Sequence, residues 1–139
     1  MQTPTDEPLQ VLALFMDAMH KWEETVRAEF DLVVKGQLKS AELKSRRLPE
    51  LQAIQDNFCV DSKWRRSGAT YSWPSHYDAA TNKIVEVVAK GKKKVRVTLQ
   101  QTVGAKTRTE IELVLDDGQW KVSRRWSLFK GQKPIAHEL

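Results

Sequence analysis

The amino-acid sequence predicts an α+β fold, with N-terminal helices packed on one face of a curved antiparallel sheet. Three observations predict it. Apolar residues recur at spacings of three and four through the first part of the chain. From residue 83 onward the apolar period is two. The two kinds of segment are segregated along the chain, which favours a meander over parallel βαβ units. A length of 139 residues suits a single domain, read here as residues 1–130, with 131–139 as a loose C-terminal tail.

A long helix is expected from about Thr5 to Lys35. Leu12, Phe15, Met19, Trp22, Val26, Phe30 and Val33 form one apolar stripe. Thr3, Pro4, Thr5, Asp6, Glu7 and Pro8 supply hydroxyl, acid and proline start signals. Gly36 is a stop, since glycine accepts the left-handed conformation at a helix end. A second helix is expected from about Gln37 to Arg47. A third restarts at Pro49, with Leu48, Leu51, Ile54 and Phe58 on one side.

Residues 59–82 read as irregular, with Trp64, Tyr71, Trp73, Pro74, His76 and Tyr77 among Ser, Asn, Asp and Gly. Four strands follow, at Lys83–Lys90, Lys94–Thr102, Thr107–Leu115 and Gln119–Phe129. Asp116-Asp117-Gly118 is a strong hairpin signal and Gly91-Lys92-Lys93 a weaker one. Simple alternation puts Val95, Val97, Leu99, Ile111, Leu113, Leu115, Trp120 and Val122 inward. It puts Arg96, Arg108, Glu110, Glu112, Lys121 and Arg125 on the outer face.

Hydrophobic residues make up 40% and charged residues 29% of the chain, which excludes a disordered chain. No apolar run approaches the ~20 residues that span a bilayer. The N-terminus shows no basic region followed by an apolar stretch, so no signal peptide is expected. The single cysteine, Cys59, has no internal partner for a disulfide. Both points favour a reducing, cytoplasmic location. A net charge of +5 bears on association rather than on fold.

Candidates for chemistry are few. His20 lies beside Asp17, Glu23 and Glu24 and could serve as a general base, but the stripe places it on a solvated rim. His76 reads as a turn residue beside Tyr77 and Asp78, and His137 lies in the tail. Three isolated histidines and one cysteine give no metal-ligand spacing. Cys59 reads as a small buried hydrophobe. Six scattered glycines make no phosphate-cradling loop. None of the eight inward strand residues carries a proton at neutral pH, so the sheet encloses a filled core rather than a catalytic pocket. No cofactor and no metal are expected.

Basic runs at Lys63-x-Arg65-Arg66, Lys90-x-Lys92-Lys93-Lys94 and Arg124-Arg125 could contact nucleic acid. Lysines at hairpin tips also guard sheet edges, and that reading is preferred. Five tryptophans are many for this length. Trp22 and Trp120 fit the core by phase, whereas Trp64 and Trp73 lie in the irregular region.

Four passages together resemble a known family. They are Phe15-Met16…Met19-x-x-Trp22-Glu23, then Trp73-Pro74-x-x-Tyr77-Asp78 leading into Asn82-Lys83-Ile84-Val85-Glu86-Val87, then Val95-x-Val97-x-x-Gln100-Gln101-Thr102, then Leu113-x-Leu115-Asp116-Asp117-Gly118-x-Trp120-Lys121-Val122. Over about residues 10–128 the chain resembles the nuclear-transport-factor-2-like immunity proteins of bacterial polymorphic toxin systems. The resemblance implies a cone-like α+β fold, a cytoplasmic location, and binding and neutralisation of one cognate toxin. It brings no catalytic residues. It also allows a homodimer through the outer sheet face, in competition with toxin docking there.

The expected toxin contacts are Trp64, Arg65, Arg66, Tyr71, Trp73, Arg96 and Arg108, chosen for arginine and aromatic content. Two alternatives stand beside this reading. One is a small-molecule-binding or isomerase- or dehydratase-like enzyme of the same superfamily, which needs a pocket lined by His20, His76 or Asp78. The other is a basic nucleic-acid-binding module with strongly salt-dependent affinity.

Overall fold

The computed structural model of the chain describes residues 6–139. Two helices, α1 (Asp6–Val34) and α2 (Ser40–Phe58), precede five strands. These are β1 (Asn82–Ala89), β2 (Lys94–Gln101), β3 (Arg108–Asp116), β4 (Gln119–Leu128) and β5 (Ile135–His137). The strands form one antiparallel sheet in the order β1-β2-β3-β4-β5. The fold is the expected α+β arrangement of helices against a meander.

The expected start signals at Thr3, Pro4 and Thr5 lie outside the described residues. Asp6 and Glu7 occupy the first turn of α1, where acids meet the positive end of the helix dipole. The buried stripe of α1 is Leu12, Phe15, Met16, Met19, Trp22, Glu23 and Val26. It stops a turn earlier than the apolar pattern suggests, because Phe30 is 45% exposed with its ring edge-on to Tyr71. Gly36, at φ 74°, ends the helix as expected.

The two helices expected on either side of Pro49 are one helix, with Pro49 inside it. Proline removes one N–H and crowds the preceding turn, at a cost of about 3 kcal/mol. Tertiary packing overrides that cost. Leu43, Leu51 and Gln55 are all buried, and the Trp22 indole N–H donates to the Arg47 carbonyl at 3.0 Å, tying α2 to α1 on the proline's N-terminal side. Arg65 ends α2 from outside: its Nε and Nη2 donate to the Val60 and Cys59 carbonyls and its Nη1 pairs with Asp56. A cation at the carbonyl end of a helix satisfies orphan acceptors there.

The core sits between the helices and the inner sheet face. Val95, Val97, Leu99, Ile111, Leu113 and Val122 meet Phe15, Met19, Trp22, Leu51, Cys59 and Tyr77 there. Phe15 packs edge-on against both Tyr77 and Phe58. The β3–β4 turn carries positive φ at both central residues, Asp117 (50°) and Gly118 (76°). That backbone matches the twist of the flanking strands, which is why Asp-Gly marks such turns.

Two strand expectations need correction. The register between β3 and β4 shifts between Glu112 and Leu113, so that Leu113 faces Val122 but Glu112 faces Arg124. Ser123 is the extra residue of a β-bulge. Beyond it the faces exchange relative to simple alternation: Arg124 shares the outer face with Glu112, and Trp126 shares it with Glu110. Arg125, expected outside, lies opposite Ile111 on the inner face. The second correction concerns the segment expected to be a loose tail. Ile135–His137 pairs with Ser127–Arg125 of β4, and Leu139 is fully buried in the core cluster. A run of three strand residues is too short to register as a period of two.

Replacing Leu139 by Ala should therefore lower unfolding free energy by about 2–5 kcal/mol, as for other buried leucines. A urea titration reads this directly. An unchanged midpoint would mean that the C-terminal segment contributes no core.

Candidate partner-binding surface

Residues 59–81 are held against α1 by one buried carboxylate. Glu23 is 2% exposed. Its Oε1 accepts from the Ser75 hydroxyl at 2.7 Å, and its Oε2 accepts from the Ser72 N–H at 3.0 Å and from Arg66 Nη1 at 3.2 Å. Arg66 also donates to the backbone oxygens of Leu139 and Thr70. The Gln55 side chain holds both the N–H and the carbonyl of Arg66. At the far end of the loop, the Asn82 amide donates to the Ser75 and Asp78 carbonyls. Every partner of this network is internal, as a buried charge requires.

The seven expected contact residues fall into three groups. Arg65 and Arg66 are spent on internal bonds, one closing α2 and the other pairing Glu23. Tyr71 lines an open groove of about 590 Å³ along the C-terminal half of α1, with Glu24, Arg27, Phe30, Asp31 and Val34, and Trp73 reaches that groove's Arg27. Trp73 is 62% exposed, with the Arg27 guanidinium stacked 3.5 Å from its ring centroid. Trp64, Arg96 and Arg108 belong to the outer sheet face and its border.

That outer face carries a continuous cation–π stack. Lys63 lies over Trp64 at 5.2 Å. Arg124 lies 4.3 Å from Trp64 and 4.8 Å from Trp126. Arg96 lies 5.0 Å from Trp126 on its other flank. Arg96 is braced by Glu110 at 3.1 Å and Glu112 at 3.3 Å, and Lys94 approaches Glu112 at 3.8 Å. Arg108 donates to the Gln100 side chain. Each stacked pair contributes about 0.5–1 kcal/mol at an exposed site. The larger effect is order: long side chains that are free in most surfaces are held here in one arrangement.

Arg124 and Trp126 were missed as surface residues because alternation alone sends both inward. The bulge at Ser123 reverses them, and no feature of the residues themselves announces it. Arg124 and Arg125 are chemically identical neighbours, and a tryptophan ordinarily argues for the inner face.

Two buried titratable groups, Cys59 and His76, are uncharged at pH 7. Burial pushes the Cys59 thiol up to about 12, so it stays protonated. Burial, assisted by Arg125, pulls His76 down to about 4. Its imidazole is therefore neutral at pH 7, and its Nδ1 is buried without a partner. His20 faces Glu24 at 3.2 Å and Asp78 at 3.7 Å on the surface of α1. The cleft it shares with Glu23, Tyr71, Trp73 and Ser75 encloses only about 10 Å³, close to the minimum for one water. Among the described residues, no group of three or more His, Cys, Asp or Glu is placed to hold a metal ion. Among them also, no helix is long and apolar enough to cross a membrane.

Two helices over an antiparallel meander, with an apolar interior and a cationic and aromatic outer face, define an NTF2-like fold. The chain belongs to the NTF2 fold immunity protein family, whose sequence profile matches residues 7–135. No curated protein and no solved structure matches the chain.

Two outcomes follow from the buried groups. Glu23→Gln leaves Arg66 buried without its counter-charge and should destabilise by about 3–5 kcal/mol in denaturant titrations. The depressed His76 has the opposite sign to a stabilising ion pair. The unfolded chain takes up a proton near pH 6.5, while the folded chain resists it until about pH 4. Stability present above pH 6.5 is therefore lost as pH falls through that window. His76→Gln should flatten this part of the profile, measured as the difference between variant and wild-type unfolding free energies from pH 7 to 4.5.

Proposed function

We propose that this protein binds one cognate bacterial toxin and neutralises it by direct contact, without chemistry of its own, in the cytoplasm of the cell it protects. Membership of the immunity family supports a protein partner. The observation that carries the reading is the ordered stack of Trp64, Arg124, Trp126 and Arg96 on the sheet's outer face. Tryptophan and arginine dominate the energetics of protein interfaces, and rigid side chains lose little entropy on docking.

Of the seven expected contacts, Trp64, Arg96 and Arg108 belong to this docking face. Tyr71 and Trp73 form a second, flanking contact at the α1 groove. Arg65 and Arg66 act from beneath, by holding the loop that carries both tryptophans. The absence of enzymatic activity in this reading is supported by the filled apolar interior and by the state of Cys59 and His76. Self-association through the same face would bring two cationic surfaces together, and like charges across an interface cost affinity. A one-to-one complex with toxin is therefore favoured over a homodimer.

Co-expression with the toxin domain encoded beside this gene tests the proposal. Bacteria producing that domain should survive only with this protein present, and the two should co-purify. Toxicity that the protein fails to relieve would sink the reading and direct attention to small-molecule binding.

A further inference from the structure

We infer that Arg124 is the anchor for a carboxylate, an Asp or Glu side chain, presented by the protein partner on the outer sheet face. The inference rests on the toxin-binding reading and names the chemistry of the contact.

The other arginines are mostly engaged. Arg46 and Arg47 pair with Glu29, Glu42 and Glu50. Arg65 pairs with Asp56, Arg66 with Glu23, and Arg96 with Glu110 and Glu112. Arg108 reaches a side-chain carbonyl and Arg125 a backbone one. Arg124 has ring partners on both flanks. Among the described residues it has no hydrogen-bond acceptor, and its Nε is shut off from solvent and unpaired. Its cross-strand neighbour Glu112 turns instead to Arg96 and Lys94. A half-buried guanidinium without an acceptor is costly. Two indoles keep it in place nonetheless, and hold its planar fork ready.

The geometry favours a carboxylate in particular. The centroids of two indoles lie 4.3 Å and 4.8 Å from the guanidinium carbon, and rings accept no hydrogen bond in the plane of its N–H groups, which are left for an oxygen acceptor. Arginine's terminal N–H groups match two carboxylate oxygens side by side, and such charge-assisted pairs are about twice as strong as neutral bonds. Lys63, Arg108 and Lys121 add positive charge around the site, which attracts an acidic surface and speeds its capture. A nucleic-acid backbone fits less well. It needs a track of available cations, and Lys94 and Arg96 are already paired with Glu110 and Glu112.

Arg27 supplies a contrast. It too stacks on a tryptophan, Trp73, but its groove already contains the carboxylates of Glu24 and Asp31. The α1 groove thus brings its own acids, whereas the acids nearest Arg124 are engaged elsewhere.

The test is calorimetric titration of the full-length protein with the toxin domain encoded beside its gene, at about physiological salt. Arg124→Ala should weaken binding by at least about 30-fold, the size of an interface hot spot. Arg124→Lys keeps the charge and loses the planar fork, and should still weaken binding about tenfold or more. Arg46→Ala, at an exposed ion pair of α2 outside both contacts, should stay within about threefold of wild type. Thermal melts check folding, and Arg124→Lys carries the test if the alanine variant fails to fold. Wild-type affinity retained by both Arg124 variants would overturn this inference while leaving the toxin-binding reading intact. So would full competition by a single-stranded oligonucleotide, which would assign the face to phosphate. A wild-type protein that binds no toxin domain would overturn the functional reading, and this inference with it.

Discussion

The structure depends on one buried ion pair. Glu23 and Arg66 are separated by 43 residues, and between them they fix two segments that have little regular structure to hold them. Glu23 holds the backbone at Ser72 and the hydroxyl of Ser75. Arg66 holds the backbone at Thr70 and Leu139. A helix face, an irregular loop and the C-terminal segment thus meet at a single charge pair. Buried ion pairs are not intrinsically strong stabilisers, since desolvation offsets most of their attraction. In this placement residues 66–75 satisfy both charges, with Ser72 and Ser75 on Glu23 and Thr70 on Arg66.

The surface follows from that anchorage. Trp64 takes its position from the loop, and the Leu139 N–H donates to its carbonyl at 2.8 Å. Arg124 and Trp126 take theirs from β4. The stack forms only where the loop is laid against the sheet, so core and surface are coupled through the Glu23–Arg66 pair. A change beneath the surface can therefore alter binding without touching a partner, by releasing the loop that carries Trp64.

Much of the fold was legible in the sequence. The helical stripe through Val26, the strand positions to within about a residue and the Asp-Gly turn are written in local chemistry, where side-chain periodicity and positive φ leave clear marks. What was not legible depended on contacts distant in sequence. Pro49 stays helical because α1 grips both sides of it. Residues 135–139 become ordered because β4 and the core accept them. The stacked outer face was legible only in part: composition singles out Trp64 and Arg96, but the outward placement of Arg124 and Trp126 comes from a bulge that only the pairing with β3 reveals. Composition likewise does not show that Arg65 and Arg66 pair with Asp56 and Glu23 of this chain.

The bulge has a consequence for how such a protein diversifies. Ser123 is surplus to the ladder, so its deletion would join Val122 to Arg124 in regular register with every side chain on its present face. An insertion immediately after Ser123 would instead exchange the faces beyond it, turning Arg124 and Trp126 inward and Arg125 and Ser127 outward. Loss of one residue at the bulge thus keeps the pattern of faces, whereas gain of one residue reverses it.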